Sequence, residues 1–241
     1  MDLDRRVSRK TLSSQLEEAL RDDIIQGRFT PGQRLPASDL GSRYGVSATP
    51  LREAFQRLAA EGLIEWDARL GATVAAVSAP ELRDIYWLRH LLEPIALRRS
   101  IERGDGAWEQ AVTDAWAQLK GATRPGTAGP SVDGREWYQA HRDFHEALFS
   151  ACESPWLLRF VGILGNHSER YRVVSTRVGT RDSTEEHEQI KDAALARDAE
   201  RAAGALQAHL AATVSVVDNA LGSADKSAST SGGGHDGLRA D

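Results

Sequence analysis

SATPLREAFQRLAAEGLIE, residues 47–65, is the stretch that decides how the N-terminal part of the chain folds. Ser47 is a favourable N-cap, because its hydroxyl oxygen can accept a hydrogen bond from a free backbone N–H of the first turn. Pro50 is tolerated in that turn, where its missing N–H costs nothing, and Gly62 is a helix stop signal. The stretch therefore predicts an amphipathic helix. Its apolar face would hold Leu51, Phe55, Leu58 and Ala59.

The polar face of this helix predicts contact with DNA. Thr49, Arg52 and Gln56 lie three and four positions apart, near the helix N-terminus, where the helix dipole is positive. Arginine paired with guanine is the commonest specific contact in the major groove. We therefore expect a recognition helix in which Arg52 is the main base-reading residue.

The sequence on either side predicts a winged helix-turn-helix domain over residues 1–77. Upstream, two helical patterns end at Gly27 and Gly45. Downstream, residues 63–66 and 72–75 predict two short strands. Three helices followed by a β-hairpin, in this order, form a winged helix-turn-helix, in which the third helix reads the bases and the hairpin is the wing.

Composition limits the class of protein. The 241 residues are enough for one large or two ordinary domains, and 41% of them are hydrophobic, enough for well-formed cores. The single cysteine, Cys152, excludes an internal disulfide framework and fits a reducing compartment. No apolar run approaches the roughly 20 residues that span a bilayer, and the start of the chain shows no signal peptide. We therefore expect a cytoplasmic protein without a membrane partner.

Net charge counts against DNA binding. Residues 1–77 hold 11 basic and 11 acidic side chains, which cancel, and the remaining 19 basic and 24 acidic side chains give the chain its net charge of −5. A DNA-binding domain is usually markedly basic. A local basic excess stands at the N-terminus, where it could form an arm that touches phosphates or could simply solvate the terminus. It consists of Arg5, Arg6, Arg9 and Lys10.

Residues 78–221 predict a second, all-helical domain. A linker with Pro80 leads into a long helix over about residues 79–103, and further helical patterns follow it. Ser183–Glu186 has the spacing of a capping box, which begins one helix, and Asp198 can cap the last one. The predicted fold is therefore mainly α, with an N-terminal winged helix-turn-helix and a C-terminal bundle of about six helices.

Two segments of low complexity interrupt this pattern. Residues 121–134 are rich in Gly, Pro, Thr and Ser and predict a mobile loop. Residues 222–241 are rich in Ser, Gly and Ala, and we expect a disordered tail there.

Four histidines predict a metal site. His141 and His145 are four residues apart and share a helix face. His187 and His209 would be about 33 Å apart on one straight helix, but the break at Asp198 lies 11 residues from each. An antiparallel hairpin at that break puts both at one height, where the first pair can close the site from a neighbouring helix. Imidazoles favour zinc, with nickel and manganese as alternatives.

Spacing alone leaves other roles open for these histidines. They could be ordinary polar residues, or they could hold an ion that only fixes the bundle. An ion with an open position could also activate water, which would make the chain a helical-bundle metalloenzyme with a fused helix-turn-helix. Such an enzyme usually adds a general base, and spacing singles out none of the candidates. These are Glu93, Glu146, Glu186 and Glu188.

Motifs in both halves resemble the GntR superfamily of bacterial transcriptional regulators, in its FadR-like branch with a helical, FCD-type sensing domain. The resemblance covers residues 12–221. The matching segments are IQGRFTPGQRLP at 25–36 with the family's I-x-G-x-x-x-P-G-x-x-L-P, VSATPLREA at 46–54 with V-S-R-T-P-V-R-E-A, EGLI at 61–64, GATV at 71–74 in the wing, LRHLLE at 88–93 with L-R-x-x-L-E, and FHEAL at 144–148 with F-H-x-x-L.

The resemblance implies a DNA-binding regulator, not an enzyme. Such regulators bind a palindromic operator as homodimers and respond to a small molecule, often a carboxylate; we expect a repressor. The family's metal ligands map to His141, His145, His187 and His209. The ion would anchor the carboxylate of a small organic acid, and Arg89 would pair with that carboxylate. Alternatively, Arg89 forms a structural ion pair with Glu93, four residues on.

The chain departs from the family pattern at several positions. Ala48 stands where the family often has Arg, and Ser38 replaces another commonly basic residue. His141 stands where Asp or Asn is usual, so the ligand set is less anionic. Because an Arg–guanine contact is worth roughly 1–3 kcal/mol, we expect narrower base readout and lower affinity. The expected DNA-binding residues are Arg34, Ser47, Thr49, Arg52, Gln56, Arg69 and Gly71.

Overall fold

The structure, a computed structural model, describes residues 11–67, 69–124, 134–178 and 181–231. They form two compact units that divide between Val77 and Ser78. The fold is mainly helical with a small antiparallel sheet in the first unit, which confirms the predicted fold class. Among the described helices, none is both long enough and apolar enough to cross a bilayer.

The first unit is a winged helix-turn-helix. Its three strands form one antiparallel sheet in the order β1-β3-β2. The hairpin of the last two strands is the wing. The elements are α1 (Leu12–Ile25), β1 (Arg34–Leu35), α2 (Ala37–Tyr44), α3 (Ala48–Ala60), β2 (Ile64–Asp67) and β3 (Gly71–Val74).

Strand β1 is an addition to the elements that the sequence predicts. Arg34 pairs with Thr73 and Leu35 with Ala72, so this short strand lies beside the wing. Two residues are too few for an alternating pattern to show in the sequence. Because neighbouring residues point to opposite faces, Leu35 is buried in the core while Arg34 stays exposed.

The core of this unit fixes the orientation of α3. The apolar stripes of α1 and α3 pack together, with Leu20 and Leu58 fully buried. Full burial of a leucine side chain is worth about 1.5–3 kcal/mol, and the core includes the predicted stripe residues Leu51 and Phe55. The polar face of α3 is therefore directed toward solvent.

The N-cap of α3 differs from the prediction. Ser47 has the extended backbone of an N-cap, but its side chain makes no capping hydrogen bond. The residue is exposed, so water can satisfy the first-turn N–H groups. By contrast, the Thr11 hydroxyl does cap α1, accepting from Ser14 N at 3.2 Å.

The second unit is a bundle of six described α-helices. Helix α4 packs against α7 and α9, α5 packs against α6, and α8 packs against α9. The helices are α4 (Ala79–Arg103), α5 (Gly106–Gly121), α6 (Arg135–Phe149), α7 (Pro155–Val178), α8 (Thr184–Leu195) and α9 (Ala199–Ser231), with a 3₁₀ turn at Ser150–Cys152 after α6.

Side-chain caps begin three of these helices. The Ser78 hydroxyl accepts from Glu81 N at 3.3 Å and starts α4. Asp105 caps α5. The Asp198 carboxylate accepts from Arg201 N at 3.0 Å and begins α9, as the sequence predicted. The last of these caps creates the break between α8 and α9 on which the predicted histidine register depends.

The predicted capping box at Ser183–Glu186 does not form. Ser183 makes no side-chain cap bond, and Thr184 N donates instead to the Asp182 carboxylate at 2.9 Å. Glu186 is engaged by Arg181 and His209. The guanidinium of Arg181 brings a full positive charge to the carboxylate, which a backbone N–H does not, and this explains why Glu186 does not reach back to Ser183.

The structure describes only part of the two predicted low-complexity segments, and it differs from the prediction in one of them. Helix α9 continues ten residues past Leu221 to Ser231, where a disordered tail was expected. One glycine, Gly222, costs a helix only about 1 kcal/mol, and residues 223–231 contain no further Gly or Pro to end it. Residues 232–241, and residues 125–133 of the predicted loop, lie outside the described part of the chain, as do the four basic residues of the N-terminal arm.

Candidate nucleic-acid interface and metal centre

The exposed face of α3 carries the side chains that the sequence assigned to DNA. Thr49, Arg52 and Gln56 are exposed, and Ser47 at the helix start is exposed as well. Ala48 is on the same exposed first turn. The face is therefore accessible as predicted, and Ala48 adds no hydrogen-bonding group to it.

Several arginines of the first unit are neutralised within the unit. Arg21 pairs with Glu17 at 2.6 Å and with Glu61 at 2.7 Å, which joins α1 to the end of α3. Arg57 also reaches Glu17, at 3.2 Å. The Arg21–Glu17 pair lies within α1, whereas the pairs to Glu61 and from Arg57 connect α1 with α3, so both arginines stabilise the fold.

Asp23 forms a second cluster of this kind. Its buried carboxylate accepts from Arg28 at 2.5 Å and from Tyr44 Oη at 2.5 Å, and Arg43 lies 3.4 Å away. Burial and the hydrogen bond to Asp23 raise the pKa of the Tyr44 hydroxyl, so it stays protonated and donates. Two more arginines are thereby paired with acid inside the unit.

Three described arginines of this unit have no ion pair with a described carboxylate: Arg34, Arg52 and Arg69. They are the three that the sequence assigned to DNA contact. All three are exposed. Although the charges of residues 1–77 balance, the described arginines of this unit therefore fall into two groups. Four are paired with Glu17, Asp23 or Glu61 inside the unit, and three are exposed without such a pair.

Hydrogen bonds connect the described residues of the wing turn. The Asp67 carboxylate accepts from Arg69 N at 2.7 Å and from Leu70 N at 2.8 Å, and these bonds lower the pKa of Asp67. Arg34 donates to the Leu70 carbonyl at 2.6 Å. Gly71 has φ +89°, a conformation that side chains rarely adopt. Arg34 of β1 is thus bonded to the wing turn that contains Arg69, and Gly71 provides the positive φ at the end of that turn.

The four histidines meet inside the second unit. His141 and His145 come from α6, His187 from α8 and His209 from α9, and all four are buried. One ring nitrogen from each lies within 4.8 Å of the others. His187 Nε2 lies 3.1 Å from His141 Nε2 and 3.3 Å from His145 Nε2. The structure therefore brings together the set that the sequence placed in register.

These distances fit one shared ion. Four nitrogens at 2.0–2.1 Å from a tetrahedral zinc ion lie about 3.3 Å from one another. The two short Nε2 separations, 3.1 and 3.3 Å, are close to that value. All four donors are imidazoles, which suit zinc and nickel. Small shifts of side chains would bring the wider pairs to the same spacing.

Carboxylates stand behind two of the imidazoles. His209 Nδ1 lies 2.9 Å from the Glu186 carboxylate, which Arg181 also binds. Burial pushes the pKa of Glu186 up, but the bonds from His209 and Arg181 outweigh it and lower that pKa. Glu169 lies 3.8 Å from His141 Nδ1. A carboxylate hydrogen-bonded to a histidine orients the other ring nitrogen toward an ion. No spacing pattern in the sequence singles out Glu169 as such a carboxylate or Arg181 as the partner of Glu186.

Arg89 is engaged in a structural ion pair. Its guanidinium binds Glu93 at 2.5 Å and donates to Ser168 Oγ at 2.8 Å, and both charged side chains are buried. It also lies over the Tyr86 ring, 4.8 Å from the centroid. The structure therefore has the i,i+4 pair that was the alternative to an effector contact. A small cavity of about 50 Å³ lies between Arg89 and the α6 histidines.

A second, larger cavity, which the sequence did not indicate, also borders the cluster. Its volume is about 340 Å³, and His187 is part of its wall. Side chains from the end of α5, from α6 and from the start of α8 meet there only in the folded bundle, so no spacing rule could have found it.

Four consecutive residues of α7 connect the small cavity to the start of the second unit. Ser168 accepts from Arg89, and Glu169 lines the cavity beside His141. Arg170 binds Glu81 at 3.0 Å. Tyr171 Oη donates to Glu81 and accepts from Ser78 N at 3.2 Å. Ser78 directly follows the boundary between the units.

Comparison with known proteins agrees with both units. Residues 12–74 match the family described as "Bacterial regulatory proteins, gntR family", and residues 84–212 match the "FCD domain". The HTH-type transcriptional regulator BphR of Paraburkholderia xenovorans is 41% identical over 202 residues, which are 83% of this chain and 82% of that protein. The chain belongs to the GntR family.

Other GntR proteins extend the match. The transcriptional repressor GlaR of Escherichia coli K12 is 32% identical over 208 residues, 84% of this chain and 94% of GlaR. A GntR-family regulator from Pseudomonas syringae pv. tomato has 30% identity and a TM-score of 0.52, covering 89% of this chain and 88% of that one. E. coli McbR/YncC shares the fold, with a TM-score of 0.76 at 21% identity, covering 86% of this chain and 97% of that one.

These matches confirm the resemblance seen in the motifs. The chain is a DNA-binding transcriptional regulator with an FCD domain, and its family and relatives are regulators, not enzymes. The alternative of a metalloenzyme with a fused helix-turn-helix is therefore set aside.

Arg52→Ala should weaken operator binding by roughly 5- to 150-fold, which corresponds to the 1–3 kcal/mol of an arginine–guanine contact. Fluorescence anisotropy with operator DNA, at one fixed salt concentration, measures the change. Arg57→Ala is the matched control, because it removes the same charge from the same helix but from a side chain paired with Glu17. Operator affinity of the Arg52 variant within about twofold of wild type would contradict the assignment.

Arg89→Ala should lower the free energy of unfolding by about 3–5 kcal/mol, because it leaves the Glu93 carboxylate buried without its counter-charge. Urea denaturation followed by tryptophan fluorescence measures this. Arg83→Ala breaks an exposed pair with Asp218 and should change stability by no more than about 1 kcal/mol. Equal, small effects in both variants would show that Arg89 is not held by Glu93.

Proposed function

We propose that this GntR regulator is a repressor that binds a palindromic operator as a homodimer and responds to a divalent metal ion and a small organic acid. The observation that carries the proposal is the buried cluster of four histidines, backed by carboxylates, in the unit that follows a DNA-reading domain. Repression is supported by GlaR, whose name describes it as a repressor.

The proposed ligands of the ion are His141, His145, His187 and His209. Zinc is the preferred ion because all four donors are imidazole nitrogens, with nickel and then manganese as alternatives. When bound, the ion supplies a positive charge that four neutral imidazoles do not cancel. A ligand set without a carboxylate therefore favours an anionic effector more than a set that contains Asp would.

The proposed dimer is supported by an exposed apolar stripe on α4. Trp87 is 60% exposed, and Leu91 and Ile95 follow it at four-residue intervals and are also exposed. Helix α7, which packs against α4, exposes Trp156 and Phe160 in the same way. Exposed apolar patches on soluble proteins mark interaction sites, and a palindromic operator requires two copies of α3. A second copy of this chain is therefore the proposed occupant.

The proposed route from the metal centre to the DNA-binding unit runs through α7. Glu169 stands next to His141, and Tyr171 holds the backbone of Ser78 and the carboxylate of Glu81. Burial and the bond to Glu81 raise the pKa of the Tyr171 hydroxyl, which keeps it a donor. A shift of this helix segment when the site is filled would change how the linker leaves the bundle.

His187→Ala should abolish retention of the metal, because this ring lies within 3.1–3.3 Å of two other ligand nitrogens. Elemental analysis and native mass spectrometry of the full-length protein report the ion and the oligomer together, with one ion per chain in a dimer expected for wild type. His90→Ala removes a histidine of the same unit outside the cluster and should leave the metal in place.

Chelation then separates sensing from a structural role of the ion. If chelated protein keeps its melting transition and binds operator but no longer responds to effector, the ion serves sensing. Loss of the fold on chelation would make the ion structural. A wild-type protein that takes up no ion when zinc is supplied would contradict the metal site.

Tyr171→Phe should uncouple the response while leaving metal binding intact, because it removes only the hydroxyl that bonds Ser78 and Glu81. The ratio of operator affinities with and without added zinc, measured by anisotropy, should fall toward one. Tyr138→Phe, a buried tyrosine on α6, is the control for loss of a hydroxyl elsewhere in the bundle. An unchanged ratio in the Tyr171 variant would rule out this route.

A further inference from the structure

We infer that Glu93 determines which acid this regulator recognises, by accepting a hydrogen bond from the hydroxyl group of a small 2-hydroxy acid bound in the cavity beside His141 and His145. The inference rests on the proposed function in taking the effector to be a small organic acid that the metal centre attracts. It goes beyond that function in assigning a specificity-determining residue and a narrower class of acid.

Glu93 has one carboxylate oxygen that is paired and one that is not. Oε1 accepts from Arg89 Nε at 2.5 Å. Oε2 is buried, and no donor among the described residues makes a hydrogen bond to it. A buried carboxylate oxygen without a donor is unfavourable, and such atoms are rare in folded proteins. The position therefore favours a ligand that brings a donor of its own.

The orientation of this carboxylate is fixed by a chain of buried hydrogen bonds. Arg89, which holds Oε1, also donates to Ser168 Oγ at 2.8 Å. The Ser168 hydroxyl in turn donates to the carbonyl of Gly165 at 2.8 Å. With Oε1 held in this way, Oε2 has a defined position, and an acceptor that needs no reordering gives a ligand more affinity.

The free oxygen belongs to a residue of the small cavity. Glu93 forms part of its wall together with His141 and His145, so one ligand can meet both the carboxylate and the histidine cluster. A cavity needs about 10–15 Å³ to hold one water-sized group, and the volume here is about 50 Å³. That space takes only a few non-hydrogen atoms. Glycolate, the smallest 2-hydroxy acid, is of this size.

Glycine keeps the α7 side of the cavity open. A Cβ at Gly165 would meet nothing within 4 Å beyond its own stretch of helix. Glycine inside a helix is unfavourable relative to alanine, and no close neighbour requires it here, so its effect is to leave space for a ligand. The residues of α7 that line the cavity have the spacing of one helix face. They are Val161, Gly162, Gly165, Asn166 and Glu169.

Charge favours a hydroxyl group over an ammonium group as the donor. The negative charge of Glu93 is already balanced by Arg89, and both side chains are buried. An ammonium group at Oε2 would place a second positive charge beside the guanidinium, and repulsion between like charges is strong where water does not screen it. A hydroxyl supplies the hydrogen bond without that charge. The inferred class is therefore a 2-hydroxy acid, not a 2-amino acid.

The first test compares glycolate, acetate and glycine by isothermal titration calorimetry of zinc-loaded, full-length protein. Glycolate should bind at least about tenfold more tightly than acetate, because a hydrogen bond to a charged group has that effect on affinity. Equal affinities for glycolate and acetate would overturn the inference. Glycine binding as tightly as glycolate would overturn the choice of a hydroxyl donor.

Glu93→Gln tests which residue accepts the bond. The amide keeps one oxygen for Arg89 but places an NH₂ group, which donates, where Oε2 accepts. The preference for glycolate over acetate should fall to within about twofold. Glu146→Gln is the matched control, because Glu146 lines the same cavity but forms no ion pair with Arg89, and it should keep the preference. A preference that persists in the Glu93 variant would overturn the assignment.

Gly165→Ala tests the cavity without disturbing Glu93. The added methyl group should weaken glycolate binding by about tenfold through overpacking, while the melting temperature does not fall, since alanine favours a helix. Gly204→Ala is the control, because Gly204 is exposed on α9 and also has open space at its Cβ. It should leave glycolate affinity within about twofold of wild type. Unchanged affinity in the Gly165 variant would show that glycolate binds elsewhere. This variant and the wild-type titrations keep the inference testable if Glu93→Gln does not fold.

Elemental analysis and operator binding separate this inference from the proposed function. If the protein retains zinc and acetate releases operator DNA as well as glycolate does, the proposed function stands and the role of Glu93 fails. If no zinc is retained but glycolate is still preferred through Glu93, this inference stands and the metal part of the proposed function fails.

Discussion

The turn between α8 and α9 is the constraint on which the histidine cluster of the second unit depends. It reverses the chain at Arg197 and Asp198, midway between His187 and His209, so both imidazoles reach one height in the bundle. Arg197 adopts φ +59°, which is unfavourable for a residue with a side chain. Its guanidinium offsets this by donating to the carbonyls of Ile101 and Gly104 at the end of α4. A shift of the turn by one residue would rotate the rings of the two histidines away from each other, since each residue turns a helix by about 100°.

Charge in this protein is divided between buried or interhelical pairs and exposed groups. In the first unit, Glu17 and Asp23 bind arginines that hold helices together, while Arg52 and Arg69 stay accessible. Net charge therefore says little about the capacity of the unit to bind DNA. Phosphates and base edges meet local groups, not the sum over residues 1–77.

The sequence predicted features that have a local signal. Helical spacing, the Asp198 cap and the register of the histidines each depend on residues close in the chain, and the structure has all three. It could not predict which partner a polar side chain chooses when several compete. Glu186 binds Arg181 and His209 instead of closing a capping box, because the guanidinium brings a full positive charge to the carboxylate and a backbone N–H does not. The larger cavity could not be predicted for another reason. Its walls come from three helices that are separate in the sequence and meet only after folding.

The second unit holds buried and exposed ion pairs side by side. The Arg89–Glu93 pair is rigid, because water does not reach it and neither charge can leave without stranding the other. It also joins α4 to α7, because Arg89 donates to Ser168 Oγ at 2.8 Å. The Arg83–Asp218 pair is exposed, so water screens both charges and either side chain can move away at little cost. The burial of the two partners, not the presence of an ion pair, therefore decides how strongly an arginine contributes to this fold.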